Sequence, residues 1–184
     1  MIKAYVITEG PAAAAVLKKL LPEDLTGRTE FVIASSRYSL QALARSILAT
    51  RHRPVAAVID AETYNDGKIQ EEEEFLNATL RQVAVDTKFR VFIAKPDLMS
   101  VLSEDSALGK HATRHASKSA TVSEGRSKSL REINKDADMA HLGNLLDKLD
   151  TRTLTDIRKQ PFFSAIAKFL GSVVGTRNHR PKVA

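Results

Sequence analysis

The chain has 184 residues, of which 43 % are hydrophobic, 5 % aromatic and none Trp or Cys, with a formal net charge of +6. That is roughly one domain plus an appendage, with a core that must rest on Ala, Val, Leu and Ile; zero Cys excludes disulfides and thiolate zinc or iron–sulfur sites and suits a reducing cytosol. No apolar run approaches the ~18 residues of a membrane span, and Met1 to Tyr5 lacks the features of a secretory signal, so a cytoplasmic protein without a membrane partner is expected.

The first hundred residues alternate strand-like and helix-like segments. Residues 2–8 read as a buried strand, and 11–21 as an Ala/Leu/Lys helix with Pro11 in its first turn. Residues 30–35 form a second strand. A helix over 38–51 follows, with Leu40, Leu43, Ala44, Ile47 and Leu48 at helical spacing, and Pro54 stops it. A third strand spans 55–60. After a polar turn at Asn65-Asp66-Gly67, a helix covers 69–86, a fourth strand runs from Phe89 to Ala94, and a short helix holds Leu98 to Leu102. This alternation predicts βαβ crossovers and a parallel sheet, an α/β fold with helices on both faces.

Beyond residue 104 the texture changes. Residues 105–130 are rich in Ser, Ala, Lys and Arg and read as a basic, flexible segment. Helical periodicity returns over 130–150, and again over 161–174 with Phe162, Phe163, Ile166, Phe169, Leu170 and Val173. The expected division is therefore an α/β core over 1–104, the basic segment, and a C-terminal helical extension over 131–184. The extension is expected to pack on the core, since its helices make a small core alone.

The chemistry is expected where apolar runs end in acid. Ala4 to Ile7 leads into Thr8-Glu9-Gly10, and Val55 to Ile59 leads into Asp60-Ala61-Glu62. In a four-stranded parallel sheet ordered 2-1-3-4 these runs are neighbours. Their carboxyl ends are where open α/β sheets place ligands. Converging carboxylates are costly unless a cation compensates them, and Mg²⁺ or Mn²⁺ takes hard oxygen donors. Such an ion can activate water and orient a phosphodiester. Asp66 offers a further carboxylate in the loop.

These residues resemble the Toprim family, the metal-binding domain of topoisomerases, bacterial primases and OLD-type nucleases. That family carries Glu, commonly followed by Gly, after its first strand, and Asp-x-Asp after its third. The resemblance covers residues 2–100 and includes the order of elements. Stand-alone Toprim-like proteins of bacterial defence loci are similar further on, through Lys95-Pro96-Asp97-Leu98 and a final helix like Pro161-Phe162-Phe163. The resemblance implies a Rossmann-like (Toprim-like) sheet with Glu9 as general acid/base or metal ligand and Asp60 and Glu62 as Mg²⁺ ligands. It also implies a nuclease effector of antiviral defence working with a partner ATPase. Glu62 stands where the family has its second Asp; one extra methylene either tunes or weakens the site.

Basic residues Lys110, Arg114, Lys118, Arg126, Lys128 and Arg131 are candidates to hold nucleic-acid phosphates, DNA rather than RNA, against the alternative of a soluble linker. The run Glu71 to Glu74 reads as a solvated helix face near a helix N-terminus. Two other readings stand beside the nuclease. One is a non-catalytic adaptor that keeps the fold and binds protein or nucleic acid. The other is a receiver-like regulatory domain with Asp60 as phospho-acceptor and Lys95-Pro96 after the last strand.

Overall fold

The computed structural model describes residues 1–103, 144, 146, 147 and 149–175. Four parallel strands, β1 (Ala4–Glu9), β2 (Thr29–Ala34), β3 (Val55–Asp60) and β4 (Phe89–Ala94), form one sheet in the order β2-β1-β3-β4, the order expected. Both central strands are buried along their whole length, as all-parallel sheets covered on two faces require.

Strand alternation divides the core in two. Ala4 and Val6 of β1, Ala56 and Val58 of β3, and Phe92 and Ala94 of β4 face one layer of helices. That layer holds α1 (Pro11–Leu20), the single turn α2 (Glu23–Thr26), α5 (Leu98–Ser103), α6 (Thr151–Lys159) and α7 (Pro161–Val174). Tyr5, Ile7, Val55, Ala57, Ile59 and Val91 face the other way, onto α3 (Arg37–Ser46) and α4 (Asp66–Arg81). Helices therefore cover both faces. None among the described residues is long and apolar enough to cross a membrane.

The C-terminal helices belong to this core. Phe163 and Ile166 are fully buried, and the Phe92 ring meets Phe162 and Phe169 edge-on at 6.4 and 6.0 Å between centroids. These aromatics are therefore packing groups, as expected. Arg158 Nε donates to the Leu20 carbonyl at 2.6 Å, and Arg28 donates to the Val174 and Gly175 carbonyls at the far end of α7.

Three boundaries differ from expectation, each for a local reason. The helix expected over 69–86 starts at Asp66, because Asn65 caps it by accepting the Lys68 N–H at 3.1 Å, and it closes by Arg81. The helix expected to run to 51 changes at Ile47 into a wider π-type turn that ends at His52 in the left-handed region. Helices α2 and α6 were not anticipated. The Thr-rich sequence of α6 hides it, although Asp150 caps its start by accepting the Thr153 N–H at 2.6 Å. The helix expected over 130–150 and the basic segment lie, for the most part, outside the described residues.

Candidate functional site at the carboxyl edge of the sheet

The register sets the geometry of the acidic edge. Thr8 pairs with Val58, so Glu9 and Ile59 share a level and Asp60 lies one residue beyond. Because side chains alternate along a strand, Glu9 follows Tyr5 and Ile7 toward α3 and α4, whereas Asp60 follows Ala56 and Val58 toward α5. The two carboxylates emerge at neighbouring strand ends but on opposite faces of the sheet. Both are nearly buried, with 3 % of Glu9 and 6 % of Asp60 exposed.

Each carboxylate has a distinct partner. Glu9 Oε1 accepts from Arg37 Nε at 3.4 Å. Arg37 opens α3, immediately after its cap Ser36, and its terminal nitrogens donate to Glu72 on α4 and to the backbone carbonyl of Asp60. Asp60 Oδ1 accepts the backbone N–H of Leu98 at 2.9 Å, the first residue of α5. Burial pushes the Asp60 carboxyl up from 3.8 to about 6; the Leu98 N–H opposes this, while the charges of Asp97, Glu9 and Glu62 add to it. Asp60 therefore senses the negative charge of both faces.

Glu62 is exposed, with φ +57° in the left-handed region, and its N–H donates to the Pro96 carbonyl at 2.7 Å. The neighbouring Ala61 N–H donates to Ala94 at 2.8 Å, so the loop after β3 is stitched to the segment after β4. Asp97 Oδ1 accepts from Ser100 N–H at 2.8 Å, capping α5 beside Asp60. Asp66 stands apart: its carboxylate pairs with Lys95 Nζ at 2.6 Å and its side chain is 85 % exposed. The lysine that a receiver-like reading would set against Asp60 is thus engaged with Asp66.

The structure brings Glu9, Glu62 and Asp97 within electrostatic reach of Asp60. Sequence reasoning missed Arg37 and Glu72. The signal for Arg37 was topological: in this strand order the loop after β2 flanks the end of β1. Glu72 lay hidden in a run that reads as a solvated face. The phosphate-binding candidates Lys110, Arg114, Lys118, Arg126, Lys128 and Arg131 lie outside the described residues.

The donor chemistry suits Mg²⁺ or Mn²⁺, since every candidate atom is a hard oxygen and the edge already draws in a guanidinium as its cation. The spacing is another matter. Among the described residues no group of three or more His, Cys, Asp or Glu is placed to hold a metal ion, because strand alternation parts Glu9 from Asp60. The chain matches no family model, no curated protein and no solved structure.

Proposed function

We propose that this chain is a Toprim-like domain that cleaves phosphodiester bonds of nucleic acid with Mg²⁺ or Mn²⁺, as the nuclease component of a cytoplasmic system that includes a partner ATPase. The observation that carries the reading is the placing of Glu9 and Asp60 at adjacent strand ends on the carboxyl edge of a parallel sheet ordered β2-β1-β3-β4, with Asp60 electrostatically coupled to Glu9 and Glu62. Glu9, Asp60 and Glu62 are the residues this reading assigns to the ion, although among the described residues they do not stand as a three-ligand group; the ion would supply an activated water and a Lewis acid at the scissile phosphate. Asp66, paired with Lys95, is the least suited of the candidate ligands.

The chain's own residues have definable parts in this chemistry. Asp60, with a carboxyl near neutrality, can carry a proton at pH 5–6 and release it at higher pH. The Leu98 N–H fixes one of its oxygens, which orients the other. A groove of about 530 Å³ lined by Tyr64, Ile93, Lys95, Val101, Pro161 and Phe162 lies beside the end of β4, where a nucleic-acid strand can approach the edge; Lys95 there is paired with Asp66. DNA is the favoured substrate in this reading.

A second reading has its own observation. Arg37 already neutralises Glu9, and the carboxylates do not form a three-ligand group among the described residues. A non-catalytic adaptor retaining the fold would look like this. Incubation of the full chain with labelled single- and double-stranded DNA and RNA, with Mn²⁺, Mg²⁺ or chelator, tests both. Metal-dependent cleavage lost in Glu9→Gln and Asp60→Asn supports the nuclease. Equal cleavage by both variants and the wild type refutes the site. Nucleic-acid binding without cleavage, unchanged by either substitution or by chelator, favours the adaptor.

A further inference from the structure

The two edges of the sheet are finished differently. β4 carries Arg90, exposed at mid-strand with its guanidinium over the Phe92 ring at 5.2 Å, and is bracketed by the exposed Lys88 and Lys95. Charges on an edge strand discourage another strand from pairing there. β2 lacks that guard. Its charge is Glu30, near the start; Phe31, Val32 and Ile33 follow without Pro or bulge, in unbroken register with β1, and Ile33 is 51 % exposed. The Gly10 N–H donates to the Ala34 carbonyl at 3.0 Å, so by the register Glu30, Val32 and Ala34 turn their backbone groups to β1. Those of Phe31 and Ile33 face outward, and among the described residues no strand lies beyond them.

We propose that two copies of this chain pair antiparallel along β2, with Val32 of each on the two-fold axis, so that one sheet runs through both. The inference stands independently of the metal-dependent reading. The free backbone groups call for an extended strand, and a two-fold axis makes β2 complementary to itself. Charge and parity select the register. Centring on Val32 sets Phe31 opposite Ile33 on both sides of the axis, each pair exchanging both N–H···O bonds, and leaves Glu30 opposite the uncharged Ala34. Centring on Glu30 would oppose two carboxylates. Centring on Phe31 would draw together two ammonium groups, because Lys18 Nζ lies over the Phe31 ring at 5.4 Å. A pairing this short covers only part of the roughly 800 Å² per partner of a standard interface, so a dimer that dissociates on dilution is expected. The antiparallel arrangement leaves the two acidic edges at opposite ends of the shared sheet, and each stays open.

The test is sedimentation velocity of the full chain from about 1 to 100 µM, the range of weak interfaces, for the wild type, Ile33→Pro and Ile33→Lys. The wild type should pass from monomer to dimer as concentration rises. Ile33→Pro removes an N–H that faces away from β1, so the sheet keeps its own bonds while the pair loses one donor per copy. Association should weaken roughly tenfold or more, with circular dichroism and melting close to the wild type. Ile33→Lys should weaken it similarly by placing a second ammonium near Lys18; if Ile33→Pro does not fold, Ile33→Lys decides. The register is read by oxidation, since the sequence has no cysteine and a single introduced one reports its own position. Val32→Cys should cross-link into a dimer, because facing non-hydrogen-bonded residues lie about 4.5 Å apart between Cα atoms, within disulfide reach. Glu30→Cys should not, its two copies standing about 13 Å apart along the paired strands. A monomer at every concentration overturns the proposal, whether the edge stays open or another part of the chain covers it. So does a dimer that both Ile33 variants leave unchanged, which would use another surface, and so does growth beyond the dimer, since a closed pair leaves no β2 edge free. Cross-linking at residue 30 or 31 in preference to 32 overturns the register.

Discussion

Asp60→Asn is the substitution whose consequence the structure determines most fully. The carboxyl is buried, and its pKa is pushed from 3.8 to about 6, chiefly by loss of solvent. The folded state therefore keeps a proton between those two values while the unfolded chain has lost it. Bound protons are in excess in the folded state, so this group erodes stability as pH rises through the window from about 4 to 6. Below 3.8 it has no effect; above about 6 the full penalty applies. About two pKa units correspond to roughly 3 kcal/mol at pH 7, falling to about half of that at pH 5 and to a small remainder at pH 4. Asparagine carries no charge, and its Oδ1 can still accept the Leu98 N–H now held at 2.9 Å. The contact of Arg37 with residue 60 is to the backbone carbonyl, so it survives. Urea unfolding in chelator should show the variant more stable than the wild type by an amount that shrinks steadily from pH 7 to pH 4. In thermal melts at pH 7 the gain is roughly 6–12 °C for a chain of this size. A variant no more stable at pH 7, or one whose advantage is the same at pH 4, would refute the claim that a buried, self-repelling carboxylate sits at this position.

Three further substitutions probe other parts of the argument. Glu9→Gln should destabilise by about 1–3 kcal/mol in urea melts, because Arg37 loses one of its two carboxylate partners; charge repulsion alone would give the opposite sign, so a gain in stability would show that Arg37 does not compensate Glu9. Glu62→Gly relieves a non-glycine residue at φ +57° and should stabilise by about 1 kcal/mol, read from the same melts, with a loss indicating that the left-handed turn after β3 is not as described. Phe163→Ala removes a ring that is 1 % exposed between α7 and the sheet and should cost about 3–5 kcal/mol; a loss under 1 kcal/mol would mean that the C-terminal helices do not share the core of the sheet.

The fold was legible because its signals are periodic. Continuous apolar runs at Ala4 to Ile7 and Val55 to Ile59 announced buried parallel strands, and Leu40, Leu43 and Ala44 of α3, with Ile47 and Leu48 of the π-type turn after it, announced the face that buries against them. Less visible were elements that depend on a cap more than on a periodic face. Asn65 and Asp66 read as a turn until the Lys68 N–H is seen to close on Asn65. Thr151 to Lys159 carries little helix propensity and is fixed by Asp150 at its start and Ile157 in the core. For the site, sequence placed Glu9 and Asp60 at adjacent strand ends. It could not say that the one-residue offset between them turns their side chains to opposite faces, since that depends on the pairing of Thr8 with Val58. The route to Arg37 was the strand order alone, which sets the loop after β2 beside the end of β1, because its carboxylate partners lie 28 and 35 residues away in sequence.

That offset sets the charge problem the edge must solve. Glu9 and Glu72 lie on the side of α3 and α4, Asp60 and Asp97 on the side of α5, and Glu62 in the loop between β3 and α4; Arg37 is the cation that reaches both Glu9 and the end of β3. Lys95 adds little to the balance, because Asp66 engages it. Among the described residues Arg37 is the guanidinium set against these carboxylates, in a region where Glu9 and Asp60 are shielded from water. The pKa of Asp60, raised to about 6 chiefly by burial and further by the charges of Asp97, Glu9 and Glu62, favours a proton there at lower pH. Above that pH Asp60 is charged, and in the two readings proposed above a bound divalent ion or the basic groups of a partner would balance it. The two functional readings thus differ in what supplies that charge. Mn²⁺ uptake that rises in step with the ionisation of Asp60 would answer for the metal, and its absence across pH 5 to 8 would answer for the partner.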